Sequence, residues 1–97
     1  MKIFKDKNFT EEVEILDLGI VPAGETRQFT FWVYNDTSAF LRMLNFRVEH
    51  EEVKVIKFPE ELRARTGSEL ILEWSPSVTL KEGLKARLRV NGIELWG

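Results

Sequence analysis

The chain of 97 residues has a net charge of −2 and no cysteine, and 43% of its residues are hydrophobic, including seven Phe and three Trp. This length predicts a single domain with one core, and the charge balance disfavours nucleic acid and anionic membranes as partners. The absence of cysteine excludes a disulfide framework, a thiolate metal site and a cysteine nucleophile.

Short apolar segments separated by turn residues follow one another along the chain. Pro22 and Gly24 supply the turn chemistry expected between two strands, and a polar turn follows at residues 35–38. Asn91-Gly92 is a strong signal for a tight hairpin. We therefore predict strands at residues 2–5, 13–18, 26–34, 41–49, 53–58, 69–74, 84–90 and 93–96.

The segment 26–34 shows the clearest alternation of side chains. Because successive residues of a strand point to opposite faces, Phe29, Phe31 and Val33 share one face, whereas Trp32 and Tyr34 lie on the other. We predict that the phenylalanines enter the core and that Trp32 and Tyr34 face outward. Similar alternation recurs in later segments, and no helical period is visible.

These patterns predict an all-β fold. Many short strands at regular spacing, with turn signals between them, are typical of an immunoglobulin-like β-sandwich of seven to eight antiparallel strands. We expect residues 1–97 to form one such domain, with residues 1–12 as an N-terminal strand or arm.

Several short motifs occur in a characteristic order. The first half contains Leu16-Asp17-Leu18-Gly19, Gly24-Glu25-Thr26, and Phe29-Thr30-Phe31 leading to Asn35-Asp36-Thr37. The second half contains Phe58-Pro59-Glu60, Thr66-Gly67-Ser68-Glu69, Leu72-Glu73-Trp74-Ser75-Pro76 and Glu82-Gly83. Over residues 13–97 their order and spacing resemble the ASH and major-sperm-protein superfamily of immunoglobulin-like domains.

The resemblance implies a non-catalytic sandwich that serves as a protein-interaction or assembly module and binds no cofactor. Family members usually occur as modules of larger chains, whereas this chain begins with its own Met1 and shows no export signal. A phage virion structural or decoration subunit is therefore an alternative, by analogy of fold. No segment approaches the roughly 18 apolar residues of a membrane span, so we expect a cytoplasmic or virion location.

In the family topology, segment 26–34 pairs with segment 69–74. The outward side chains Trp32, Tyr34 and Ile71 would then form an aromatic patch with a polar rim, as in the centre of many protein interfaces. The other interpretation is that Trp32 and Tyr34 form ordinary cross-strand pairs or are covered by the N-terminal segment.

The opposite sheet would pair segment 41–49 with segment 84–90. Its outward residues Arg47, Lys85, Arg87 and Arg89 form a basic face on an acidic protein, which makes polyanion binding a further alternative. Lys and Arg are also ordinary residues on the solvent face of a strand. The chain ends offer a third route to association, since either end could pair with an exposed sheet edge of a partner or of a second copy in a homo-oligomer.

No arrangement of residues indicates catalysis. The only histidine, His50, stands among glutamates, but adjacent residues of an extended segment point to opposite faces, so only Glu52 could join it at a metal ion. No glycine-flanked serine and no phosphate-binding glycine loop is present. We expect neither a metal site nor a catalytic site.

Overall fold

A computed structural model describes all 97 residues and contains nine β-strands and no helix. The prediction of an all-β fold is confirmed. The strands are β1 (Lys2–Phe4), β2 (Glu12–Val13), β3 (Leu16–Gly19), β4 (Arg27–Tyr34), β5 (Phe40–Val48), β6 (Val53–Lys57), β7 (Gly67–Trp74), β8 (Leu84–Ala86) and β9 (Leu88–Leu95).

The first sheet has the strand order β2-β1-β4-β7-β6, and all its pairs are antiparallel. Strand β4 pairs with β7 along its whole length, with Arg27 opposite Trp74 and Tyr34 opposite Gly67. The β1–β2 hairpin adds to the other edge of β4, where Ile3 lies opposite Val33. The N-terminal segment therefore belongs to this sheet.

The second layer consists of two antiparallel pairs, β3 with β8 and β5 with β9. The chain passes from β8 into β9 at Arg87, where its pairing partner changes from β3 to β5. The Arg87 carbonyl accepts a hydrogen bond of 2.8 Å from the backbone N–H of Glu49, so the two pairs adjoin at this point.

A single cluster of 17 buried hydrophobic residues draws side chains from both layers, which gives a sandwich-like arrangement. Leu70, Leu72 and Trp74 of β7 are fully buried, as is Leu16 of β3 in the other layer. Full burial of such a side chain stabilises the fold by roughly 1.5–3 kcal/mol. The indole N–H of Trp74 has no hydrogen-bond partner within this core.

The prediction of a hairpin at Asn91-Gly92 is wrong. Strand β9 continues through both residues, and Asn91 lies opposite Asn45 of β5. A Cβ on Gly92 would lie 2.8 Å from Cδ2 of Leu44, so this glycine permits a close approach of β9 to β5 instead of forming a turn. The predicted strand at 84–90 is accordingly divided into β8 and the first part of β9.

A β-bulge interrupts strand β5. The pairing with β9 shifts register between Arg42 and Asn45, and Met43 has a positive φ of 53°. Both Leu41 and Leu44 are buried, which an unbroken strand would not allow because residues three apart face opposite sides. The bulge therefore directs both leucines into the core.

Candidate protein-interaction surfaces

Strands β4 and β7 place the predicted aromatic patch, Trp32, Tyr34 and Ile71, on the outer face of the first sheet. Phe31 and Val33 are buried in the core, so Trp32 and Tyr34 face away from it, as the alternation predicts. All three patch residues are half-buried. The patch therefore exists as one face, although much of its surface is already covered.

The loop between β1 and β2 covers the Tyr34 end of this patch. The Phe9 ring centroid lies 5.1 Å from that of Tyr34 and 5.5 Å from that of Phe4, the latter in an edge-to-face arrangement. The ring also lies over Gly67, where an added Cβ would be 2.6 Å from Phe9 Cε1. Glycine at this position leaves the space that the Phe9 ring occupies.

The carboxylate of Asp6 organises this loop. Its Oδ1 accepts hydrogen bonds from the backbone N–H groups of Thr10, at 3.0 Å, and Glu11, at 2.8 Å, and its Oδ2 accepts one from the Thr10 hydroxyl at 2.6 Å. These bonds, led by that of the Thr10 hydroxyl, lower the pKa of Asp6. They fix the turn in which Phe9 has a positive φ of 57°.

The uncovered part of the patch consists of Trp32 and Ile71 beside charged neighbours. Trp32 lies opposite Glu69, whose carboxylate forms an ion pair of 2.9 Å with Lys57 Nζ. This combination of an aromatic ring and a charged rim keeps the face a candidate interaction surface.

The basic face predicted from the sequence lies on the outside of the second layer, where Arg47, Lys85, Arg87 and Arg89 are all exposed. Arg47 and Arg89 lie directly opposite each other, which places two like charges side by side. Arg89 forms an ion pair with Glu49, whereas the other three have no ion-pair partner. Three cations on this face are thus available to an anionic group.

A second apolar surface lies at the opposite end of β9 and was not predicted. Ile93, Leu95 and Trp96 are 48%, 46% and 63% exposed. Phe40 of β5 lies opposite Leu95, and its ring is within 6.0 Å of the guanidinium group of Arg63. We call the four apolar side chains Phe40, Ile93, Leu95 and Trp96 the C-terminal apolar patch.

The C-terminal apolar patch borders a shallow groove of about 540 Å³. Phe40, Leu95 and Trp96 form its apolar side, and Ser38 and Arg63 contribute polar groups. Apolar walls with a few polar groups are typical of sites that bind another molecule.

The sequence contains a signal for this patch. Ile93 and Leu95 continue the odd-numbered alternation of Arg87 and Arg89, so an uninterrupted strand places them on the same outer face. The misassigned turn at Asn91-Gly92 concealed this continuity.

His50 takes part in a local turn. Its Nδ1 accepts a hydrogen bond of 3.2 Å from the backbone N–H of Glu52, and its ring meets the edge of Trp74 with centroids 6.3 Å apart. The Glu52 carboxylate accepts a bond from the backbone N–H of Ser77 at 3.0 Å, and its hydrogen bonds with Ser77 lower the pKa of Glu52. No group of three or more His, Cys, Asp or Glu side chains is placed to hold a metal ion.

Comparison of the chain with protein-family models, curated proteins and solved structures gives no match. The resemblance to the ASH and major-sperm-protein superfamily therefore stays a prediction from the motifs. The structure contains no helix that is long and apolar enough to cross a membrane.

Proposed function

We propose that this protein is a non-catalytic interaction module with an immunoglobulin-like topology, which binds a protein partner through an exposed sheet face. The observation that carries the proposal is the C-terminal apolar patch. Three of its side chains, Ile93 and Leu95 on β9 and Trp96 directly after it, are largely exposed, so they add little to the buried core of the chain itself. Contiguous apolar surface on a small domain commonly marks a site of association.

Of the two apolar faces, we favour the one on β5 and β9 as the binding surface because it is more exposed. Trp32, Tyr34 and Ile71 are half-buried, and Phe9 already covers Tyr34. Ile93 and Trp96, in contrast, are largely free to contact a partner. The face that contains Trp32 is retained as a second surface of the same module.

Selection from a displayed library of random twelve-residue peptides would test this proposal. We expect enrichment of binders on the full-length protein, with their affinity reduced at least tenfold by Trp96→Ala or Ile93→Lys. Trp32→Ala is the matched control on the other face and should leave their affinity unchanged. Loss of binding in the Trp32 variant alone would move the interface to the first sheet, and failure to enrich any binder would contradict the proposed function.

A second candidate function is polyanion binding, which the three unpaired cations Arg47, Lys85 and Arg87 favour. In that case the affinity of the protein for heparin should fall steeply as the salt concentration rises, because each phosphate or sulfate contact releases bound counterions. Replacement of Arg87 by Ser should reduce both the affinity and the salt dependence. Heparin binding that is insensitive to salt and to this substitution would remove this candidate.

A further inference from the structure

We propose that the outer edge of β9 binds an extended strand of a partner protein, with apolar side chains beside Ile93 and Leu95 and acidic side chains beside Arg87 and Arg89. This inference rests on the proposed interaction function and specifies its mode. It follows from three features of β9: an unpaired edge, an apolar end and a basic end.

The edge of β9 is open. This eight-residue strand pairs only with β5, so the backbone N–H and C=O groups along its other side have no strand partner. Strand β3 pairs with β8 alone, over Leu16 to Gly19, and forms no pair with β9. An extended polypeptide satisfies such a row of groups, as in other cases of strand addition.

The edges of β2, β3 and β6 carry features that discourage pairing, and the first part of the outer edge of β5 is occupied by residues 60–62, which exchange backbone hydrogen bonds with Leu41 and Leu44. Strand β2 has only two residues, and β3 has four and ends in an irregular pair at Gly19. Strand β6 contains the exposed Lys54 and Lys57 and a register shift against β7. Short length, lysines and irregular pairing all protect an edge from further strands. The edge of β9 is longer and has no lysine from Val90 onward, and the register shift in its pairing with β5 comes from the bulge in β5.

The side chains of β9 specify the chemistry of the added strand. Directly opposed residues of neighbouring strands have Cβ atoms about 4.5–5.5 Å apart and share a face. A strand antiparallel to β9 therefore presents apolar residues to Leu95 and Ile93, any small polar residue to Asn91, and carboxylates to Arg89 and Arg87. The required pattern is two apolar, one neutral and two acidic side chains at every second position.

Charge complementarity favours a foreign strand over a second copy of this chain. The outward residues of β9 are basic, amide or apolar, namely Arg89, Asn91, Ile93 and Leu95, and none is acidic. A second β9 paired antiparallel would leave Arg87, which has no ion-pair partner within the chain, without a carboxylate on the adjoining strand.

The peptide Val-Thr-Val-Thr-Asn-Thr-Glu-Thr-Glu, with a fluorescent label, is the probe that tests this inference on the full-length protein. We expect saturable binding by fluorescence anisotropy and a loss of at least tenfold in affinity with Ile93→Lys. Arg87→Glu should weaken binding by a similar factor, and replacement of the peptide's last glutamate, the one that faces position 87, by lysine should restore it. Lys54→Glu, on the protected edge β6, should change little.

The contribution of backbone hydrogen bonds between the probe and β9 to the binding affinity is tested by N-methylation of alternate peptide bonds in the probe. N-methylation on the side that faces β9 should abolish binding, because it removes the donors of the new ladder, whereas N-methylation on the other side should be tolerated. Equal binding of both methylated probes would overturn strand addition while leaving the library result, and thus the proposed function, intact.

Two other occupants of the edge would also overturn the inference. Self-association that Ile93→Lys abolishes, seen as a rise in mass with concentration by light scattering, would assign the edge to a second copy. Binding of heparin in place of the peptide, with the same sensitivity to Arg87→Glu, would assign the basic end to a polyanion.

Discussion

Asn35 is the buried polar residue on which the turn after β4 depends. Its side-chain amide donates to the carbonyl groups of Ala39, Leu62 and Arg63 at 2.8, 3.2 and 3.1 Å. Its Oδ1 accepts hydrogen bonds from the backbone N–H and hydroxyl of Thr37. One side chain thus links the turn to the segment between β6 and β7.

Replacement of Asn35 by Ala should lower the free energy of unfolding by about 2–4 kcal/mol, because each buried group left without a partner costs about 1–3 kcal/mol. Urea denaturation followed by tryptophan fluorescence measures this change. Asn45→Ala, at an exposed position of β5, is the control and should change stability by less than about 0.5 kcal/mol. Equal effects in the two variants would contradict the role given to Asn35.

Asp6 should make the stability of the protein depend on pH. Its pKa in the folded state lies below the ordinary value of 3.8, so it stabilises the fold above that pH. This contribution should be lost as the pH falls from about 4 through the lowered pKa, when the carboxylate is protonated and its bonds to Thr10 and Glu11 weaken.

Thermal unfolding between pH 5 and pH 2 measures this effect. Other carboxylates with a lowered pKa, such as that of Glu52, contribute in the same pH range, so the informative quantity is the difference between the wild type and Asp6→Asn. The variant should lose less stability than the wild type as the pH falls. Parallel curves would show that Asp6 does not contribute.

The loop of the β1–β2 hairpin packs closely over Gly67 of the first sheet. Gly67 lies beneath the Phe9 ring, and an added Cβ would also lie 2.9 Å from the carbonyl oxygen of Val33, which is backbone and cannot easily move. Gly67→Ala should therefore displace the loop at residues 5–11. Hydrogen exchange of Thr10 and Glu11 should become faster in this variant than in the wild type.

Phe9→Ala provides the matched comparison for the hairpin. It removes the ring without adding an atom at Gly67, so it should expose Tyr34 while leaving the backbone of β7 unstrained. If the exchange of residues 5–11 is unchanged in both variants, Phe9 does not hold the loop in place.

The alternation in β4 was sufficient to predict which of its side chains face the core, because a period of two leaves little freedom in a long strand. Phe31 and Val33 are buried there, whereas Phe29 packs against the core and is only half-buried. Strand β9 was not predictable in the same way. Asn91-Gly92 favours a tight turn locally, but the approach of β5 at Leu44 explains the glycine, and this contact is visible only after the two strands are paired. The C-terminal apolar patch was missed for the same reason.

Coverage by the N-terminal segment was one of the interpretations that the sequence left open for Tyr34, but the residue that covers it, Phe9, could not be identified from a pattern. Phe9 lies far along the chain from both Tyr34 and Gly67, and no period relates their positions. The β1–β2 hairpin itself is short, with three and two residues in its strands, so its propensity signal is weak. Long-range packing decides where this segment lies.

At the scale of the whole molecule, the outer edge of β9 is a long edge without a strand partner. We expect the protein to be a monomer by light scattering at micromolar concentration, because the chemistry of β9 favours an acidic partner strand. A stable dimer or larger assembly under these conditions would contradict this expectation and would favour the alternative of a self-assembling subunit.

The position of the β1–β2 hairpin on β4 limits how copies of the domain can assemble into a larger structure. A domain that accepts strands at two opposite edges can propagate head to tail into a fibre. Here the β1–β2 hairpin occupies one edge of the first sheet, and the lysines of β6 disfavour pairing at the opposite edge. Binding of a partner strand at β9 is therefore expected to give a complex with one partner and not a growing fibre.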